Sequence, residues 1–273
     1  MPELPEVEVV RMSLEPRLVG RRFRDVKVFA PALREPLDHE ALEGLTGLSV
    51  ESVRRRAKYL LIDTQGGPTL IIHLGMSGRF TVVPDPEPPA RHEHLALGLS
   101  DGGRLRLVDP RRFGQALVLD REAIPQDRHF VHLGVEPLGD AFDGAHLQTR
   151  AGGRRGPVKT FLMDGKVVVG VGNIYASEVL WRSRVHPKRA VNRIGAKTWD
   201  SLATSVRFVL ARAIEEGGTT LSDFRDGEGN AGYFQVSLAA YGREGEDCVR
   251  CGKTIRRLVQ ANRSTFYCPG CQH

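Results

Sequence analysis

The residues with chemistry to offer sit at the two ends of this chain. All four cysteines lie in the last 26 residues, as Cys248-x2-Cys251, a gap of sixteen residues, and Cys268-x2-Cys271. Disulfide frameworks scatter cysteines through short secreted domains, whereas paired C-x2-C knuckles at this separation match a four-thiolate zinc site. One Zn2+ is therefore expected, held by Cys248, Cys251, Cys268 and Cys271 at about 2.3 Å in a tetrahedron. Four thiolates leave no open position for water, so the ion is expected to be structural. A redox dithiol pair would leave the doubled motif unexplained.

At the other end stands Met1-Pro2. Removal of an initiator Met before a small residue exposes the secondary amine of Pro2. An α-amine with a pKa of about 8 is far better populated in its neutral form than a lysine at about 10.4. Such an amine adds to a sugar or carbonyl carbon and gives a Schiff base, with Glu3 or Glu6 at hand to move the proton. A retained Met1 would lock the Pro2 nitrogen in a peptide bond and forbid the imine. Glu3, Glu6 and Glu8 open the chain without a Lys or Arg among the first ten residues, which excludes a secretory signal or transit peptide. No apolar run approaches the roughly 18 residues of a membrane span, so a cytoplasmic protein is expected.

Between the ends the basic residues cluster. The formal net charge is +6, and six basic against three acidic side chains from Tyr241 to His273 place about half of it in the last 33 residues. A polyanion is the natural partner. Arg54-Arg55-Arg56-Ala57-Lys58 lies at a strand entrance. Asp109-Pro110-Arg111-Arg112-Phe113-Gly114 is a tight turn that offers cations for phosphate beside an aromatic ring able to wedge between bases. His73-Leu74-Gly75-Met76-Ser77-Gly78 is a second tight loop. Gly172-Asn173-Ile174 leads into a helix, with Asn173 placed to cap it and amides suited to phosphate. Arg263 falls between the cysteine pairs, where a hairpin would present it outward.

The elements that must position these groups follow from periodicity. Pro5 to about Glu15 reads as a helix with Val7, Val10 and Leu14 on one face, which Pro16 discourages from continuing. From Arg22 to about Leu119, eight short runs (26–28, 48–53, 59–63, 70–74, 80–83, 95–99, 105–108 and 116–119) separated by turn residues argue for a β-sandwich. Beyond Pro125 the rhythm is helical. Residues 198–216 put Leu202, Val206, Val209, Leu210 and Ala213 on one face, between a possible Thr198 cap and a Gly217-Gly218 stop. A Gly-rich polar stretch, 217–232, is a functional loop or a linker.

Taken in order, MPELPEVE, RRAKYLL, HLGMSG, DPRRFG, LMDGKVVVGVGNIYASE, GGTTLSDF, YGREGEDC and RSTFYCPGC resemble the bacterial formamidopyrimidine-DNA glycosylases over the whole chain. The resemblance implies an α+β, two-lobed protein. Residues 1–130 would form a catalytic β-sandwich with its N-terminal helix, 131–235 a helix-two-turn-helix lobe that includes a 217–232 lesion loop, and 236–273 a zinc ribbon. It implies a base-excision repair enzyme that removes oxidised purines such as 8-oxoguanine from double-stranded DNA, then cuts the abasic site by β,δ-elimination. Pro2 would be the nucleophile and Glu3 the assisting acid, with Glu6 in support. Lys58, assigned in the family as a proton donor for β-elimination, would sit by the target phosphate, a role that a cation fills without a special pKa. Arg263 would hold phosphates around the extruded nucleotide and serve δ-elimination, and Asn173 would be a further phosphate contact. His92, Arg111 and Arg154 match DNA-binding positions, Arg154 replacing a residue that is often Lys. Met76, Arg111 and Phe113 would fill the gap left by the extruded base, Arg111 reading the opposite cytosine. A monomer with no membrane partner is expected.

Three other readings remain open on the sequence. An endonuclease VIII-like enzyme of oxidised pyrimidines shares Pro2, Glu3 and the architecture, although Leu4 and the Met76, Arg111 and Phe113 set favour the purine branch. A noncatalytic zinc-containing DNA-binding protein would bind without cutting. An RNA-binding surface lacks the stacking platforms of single-strand RNA modules.

Overall fold

The computed structural model describes residues 2–85, 88–218 and 238–273. Met1 and nearly all of the 217–232 stretch lie outside the described residues. The chain divides into two compact units, one within residues 1–131 and one that joins 132–215 to the C-terminal residues.

The first unit opens with helix α1, Leu4–Leu18. Its start is fixed by a capping box. The Glu3 N–H donates to the Glu6 carboxylate at 2.7 Å, and the Glu3 carboxylate turns back to the amide of Glu6. This reciprocal arrangement satisfies two helix-start donors. The helix does not stop at Pro16 but runs to Leu18 with the proline inside its last turn. Proline's φ is itself helical, and its cost is one lost bond to the carbonyl four residues back, at exposed Met12. Full burial of Leu14 and Leu18 offsets that loss.

All eight expected strands form, as β1 (Phe23–Val28), β2 (Val50–Arg56), β3 (Tyr59–Thr64), β4 (Thr69–His73), β5 (Arg79–Pro84), β6 (Glu93–Leu99), β7 (Gly103–Val108) and β8 (Gln115–Leu119). They make two antiparallel four-stranded sheets, β1-β6-β7-β5 and β2-β3-β4-β8. Their inner faces share one core with Val7, Val10, Leu14 and Leu18 of α1. A short helix α2, His39–Glu43, follows β1 and went unforeseen; Asp38 caps it by accepting from the Ala41 N–H.

The second unit holds α3 (Gly144–Ala151), α4 (Val158–Leu162), α5 (Asn173–Arg182) and α6 (Ala196–Glu215), followed by the hairpin β9 (Arg256–Gln260) and β10 (Arg263–Tyr267). The predicted α6 face is buried at Leu202, Val206, Val209, Leu210 and Ala213. Thr198 is not its cap. The helix begins two residues earlier, and the Gly195 carbonyl accepts from the Thr198 and Trp199 amides. Gly217 and Gly218, both at positive φ, follow its end as glycines after helices do. No described helix is long and apolar enough to cross a membrane.

Candidate active site and nucleic-acid interface

In the first unit the chain start is a buried position. Pro2, Glu3 and Glu6 are all withdrawn from solvent, the two glutamates to 2% exposure. Burial of two carboxylates is tolerated here because each receives a backbone N–H and both sit at the positive end of α1. One turn later Glu8 accepts from Arg55 at 2.7 Å, which ties α1 to the end of β2. Arg55 also donates to the Ala57 carbonyl at 2.9 Å. Ala57 and Lys58 form the two-residue turn between β2 and β3, Ala57 at positive φ. The same arginine thus positions both the start of α1 and the turn that carries Lys58.

Asp109 organises a second cluster. This fully buried carboxylate accepts from the Ser77 hydroxyl at 2.6 Å, from the Arg111 N–H at 3.3 Å and from the Gly114 N–H at 2.8 Å. It thereby pins the 73–78 loop against the 109–114 turn. A Cβ on Gly75, which is at φ +60, would collide with the backbone of Phe113 and Gly114. The glycine is there because the two loops approach backbone to backbone. Beyond this base Met76, Arg111 and Phe113 all emerge exposed, the Arg111 guanidinium 4.8 Å above the Phe113 ring. Apolar side chains set beside a guanidinium in this way suit insertion between bases. His92, exposed and at positive φ, adjoins the cluster through its carbonyl, which accepts from the Asp109 N–H at 3.0 Å. His73 stacks against Tyr59 and accepts the Gly75 N–H on Nδ1. Burial, with the charges of Lys58, Arg34 and His129 acting in the same sense, brings its pKa down to about 4.

In the second unit Asn173 is not a cap. Gly172 occupies that position, and the Asn173 side chain instead makes tertiary bonds. Its Nδ2 donates to the Ser264 carbonyl at 2.9 Å and its Oδ1 accepts from Lys159 Nζ at 2.5 Å. Lys159, only 1% exposed, also donates to the Thr265 hydroxyl at 2.6 Å. A buried ammonium needs several acceptors, and these come from the α5 start and from β10. Lys159 was not foreseen, because its partners lie up to 106 residues away in sequence. Arg263 opens β10 and is exposed, presented by a turn at Ala261-Asn262 in which both residues have positive φ. Arg154 lies partly exposed on Asp164 at 2.8 Å. Glu178, another unforeseen group, accepts the backbone N–H groups of Ala239, Ala240 and Tyr241 at 2.7–2.9 Å and so fastens the chain where it enters the ribbon.

The four cysteines converge as expected, all sulfurs within 4.8 Å of one another. Sulfurs 2.3 Å from a central tetrahedral ion would stand about 3.8 Å apart. The Cys248–Cys271 and Cys251–Cys268 separations of 4.0 and 3.4 Å bracket that value. Burial and the neighbouring sulfurs push the Cys271 thiol up to about 12, so a cation is what lets all four ionise together. The residues fit one zinc ion.

Three family profiles match in sequence order: the formamidopyrimidine-DNA glycosylase N-terminal domain over residues 1–116, its H2TH domain over 133–225, and a zinc finger found in FPG and IleRS over 245–273. The chain belongs to the formamidopyrimidine-DNA glycosylase family. Glycosylases of that name from Alkalilimnicola ehrlichii and Laribacter hongkongensis are each 50% identical to it, with both chains covered completely. Among solved structures, a Lactococcus lactis Fpg mutant bound to Fapy-dG-containing DNA superposes with a TM-score of 0.91 at 31% identity, covering all of both chains. MutM bound to DNA with carbocyclic 8-oxo-G matches equally well, at 32% identity and complete coverage. The Thermus thermophilus protein gives 0.88 at 39% identity over 99% of this chain and 98% of that one. Membership explains why a zinc ribbon, a sandwich and a helical lobe share one polypeptide.

Proposed function

We propose that this chain is a bifunctional DNA glycosylase and abasic-site lyase acting on oxidised purines in duplex DNA. The observation that carries the reading is the buried start of α1, where Pro2 precedes a Glu3–Glu6 capping box. Once Met1 is removed, the Pro2 amine attacks C1′ of the damaged nucleotide. The glycosidic bond breaks and the base leaves with its electron pair, while Glu3 supplies the proton that opens the sugar ring. The resulting iminium acidifies C2′. Loss of that proton expels the 3′ phosphate, and a second elimination expels the 5′ phosphate, leaving a one-nucleotide gap with phosphate ends.

Lys58, Asn173, Arg263, His92 and Arg154 are assigned to the phosphates. Met76, Arg111 and Phe113 are assigned to the gap in the stack, where filling it offsets the few kcal/mol of base extrusion. Residues 1–130, 131–235 and 236–273 are assigned as the sandwich, helical and ribbon domains, and the bacterial cytoplasm, on nucleoid DNA, as the workplace. The zinc ion supplies folding energy to the ribbon and no chemistry.

Single-turnover excision on a duplex with 8-oxoguanine opposite cytosine tests the assignment of Glu3. Glu3→Gln should lose base excision by about 10^2- to 10^4-fold, the usual worth of a positioned acid, while still cutting a preformed abasic site. Unchanged excision would remove Glu3 from the chemistry.

A further inference from the structure

The ribbon grips α5 at both ends. At its start Asn173 and Lys159 bond to residues 264 and 265 of β10. Near its last turn Trp181 meets the first cysteine knuckle. The indole Nε1–H donates to Cys248 Sγ at 3.4 Å, an ordinary length for a bond to sulfur. The ring packs against the buried cysteine cluster beside Phe266. Arg250, between the two cysteines of that knuckle, lies over the indole ring with its guanidinium 4.0 Å from the ring centroid and donates to the Trp181 carbonyl at 2.9 Å.

We propose that Trp181 belongs to the metal site as a positioning residue, its N–H stabilising the Cys248 thiolate so that metal occupancy is coupled to the end of α5. The inference rests on the zinc reading of the four cysteines. Four thiolates around one Zn2+ carry a net charge of about −2, which N–H donors to sulfur help to spread. Within its own knuckle the Cys251 and Gly252 N–H groups donate to the Cys248 carbonyl, at 3.2 and 2.9 Å. Trp181 reaches the Cys248 sulfur from a different element, which turns a local charge requirement into a tertiary tie. Loss of the ion would release the first knuckle from its cross-link, so that Cys248 no longer holds a fixed place under the indole, and the change would be felt along the helix that begins at Asn173.

Trp181→Phe keeps an aromatic ring, though a smaller one, and deletes the donor. In the full-length protein, its zinc affinity, measured by chelator competition, should fall about tenfold, as for other partners of metal ligands. With Co2+ in place of zinc, the thiolate-to-metal charge-transfer band should move to lower energy, because an unbonded thiolate gives up its electron more readily. Affinity within twofold of the parent and an unmoved band would overturn the inference. If Trp181→Phe loses its helical circular dichroism, the parent protein loaded with 113Cd decides instead. A correlation from the metal to the Trp181 indole proton across the N–H···S bond is expected, and its absence overturns the tie. A parent protein that takes up no metal would sink the zinc reading and this inference with it.

Discussion

The Asp109 turn and the zinc ribbon both hold exposed cationic side chains on tight turns, and they are stiffened by different means. In the first unit a single buried carboxylate gathers a hydroxyl and two backbone amides, so the 73–78 and 109–114 loops support each other with protein atoms alone. In the ribbon the buried cluster consists of little more than Ile255 and three of the cysteines. So small a core cannot hold a hairpin by apolar burial, and a metal has to supply the cross-link. The difference teaches that the two parts should fail under different insults.

Chelation should have the largest effect. Stripping the ion should unfold the ribbon, remove the Arg263 turn and lower affinity for lesion-free duplex by about tenfold or more, since phosphate contacts dominate such binding. The thermal transition of the sandwich should stay in place, and a joint shift of both transitions would erase the contrast. Asp109→Ala should do the reverse. Stranding the Ser77 hydroxyl and two amides costs about 3 kcal/mol, visible as a lower denaturant midpoint at full zinc content. An unchanged midpoint would show that the two loops do not depend on that carboxylate.

Acid sharpens the same contrast from His73. In the folded protein it remains neutral down to about pH 4, whereas the unfolded chain takes up its proton near 6.5. Its contribution is therefore complete above about pH 6.5 and is lost as pH falls toward 4, by up to about 2–3 kcal/mol. Denaturant midpoints between pH 7 and 4 should show this slope, and a His73→Gln chain should lack it. A parent chain with no such slope would mean that His73 titrates normally. Arg111→Ala should have the smallest effect on stability, yet relax the preference for cytosine opposite the lesion by about tenfold. An unchanged preference would take that reading away from Arg111.

How far the sequence could be read follows from where each signal lies. All eight strands were legible because alternation and turn residues are local, and the zinc ligands because two C-x2-C pairs state their geometry outright. Asn173 has the local setting of a cap, a glycine turn before a helix, while Lys159 and Ser264 claim its side chain from elsewhere in the chain. α1 runs past the local stop signal of Pro16 because the burial of Leu18 is a tertiary effect that no local pattern carries. Lys159, Glu178 and Trp181 carry no local signature, and each acts on a partner at least 61 residues away.

The central claim is that the first unit carries a nucleophilic amine at Pro2. Borohydride trapping tests it on a duplex with 8-oxoguanine opposite cytosine, using protein whose N-terminus has been sequenced as Pro2, followed by peptide mapping of the adduct. A covalent protein–DNA adduct at Pro2 is expected, absent when one extra residue precedes it. No adduct, or an adduct mapped to Lys58 or another lysine, would contradict the account; binding without any adduct would leave a DNA-binding protein built on a glycosylase fold.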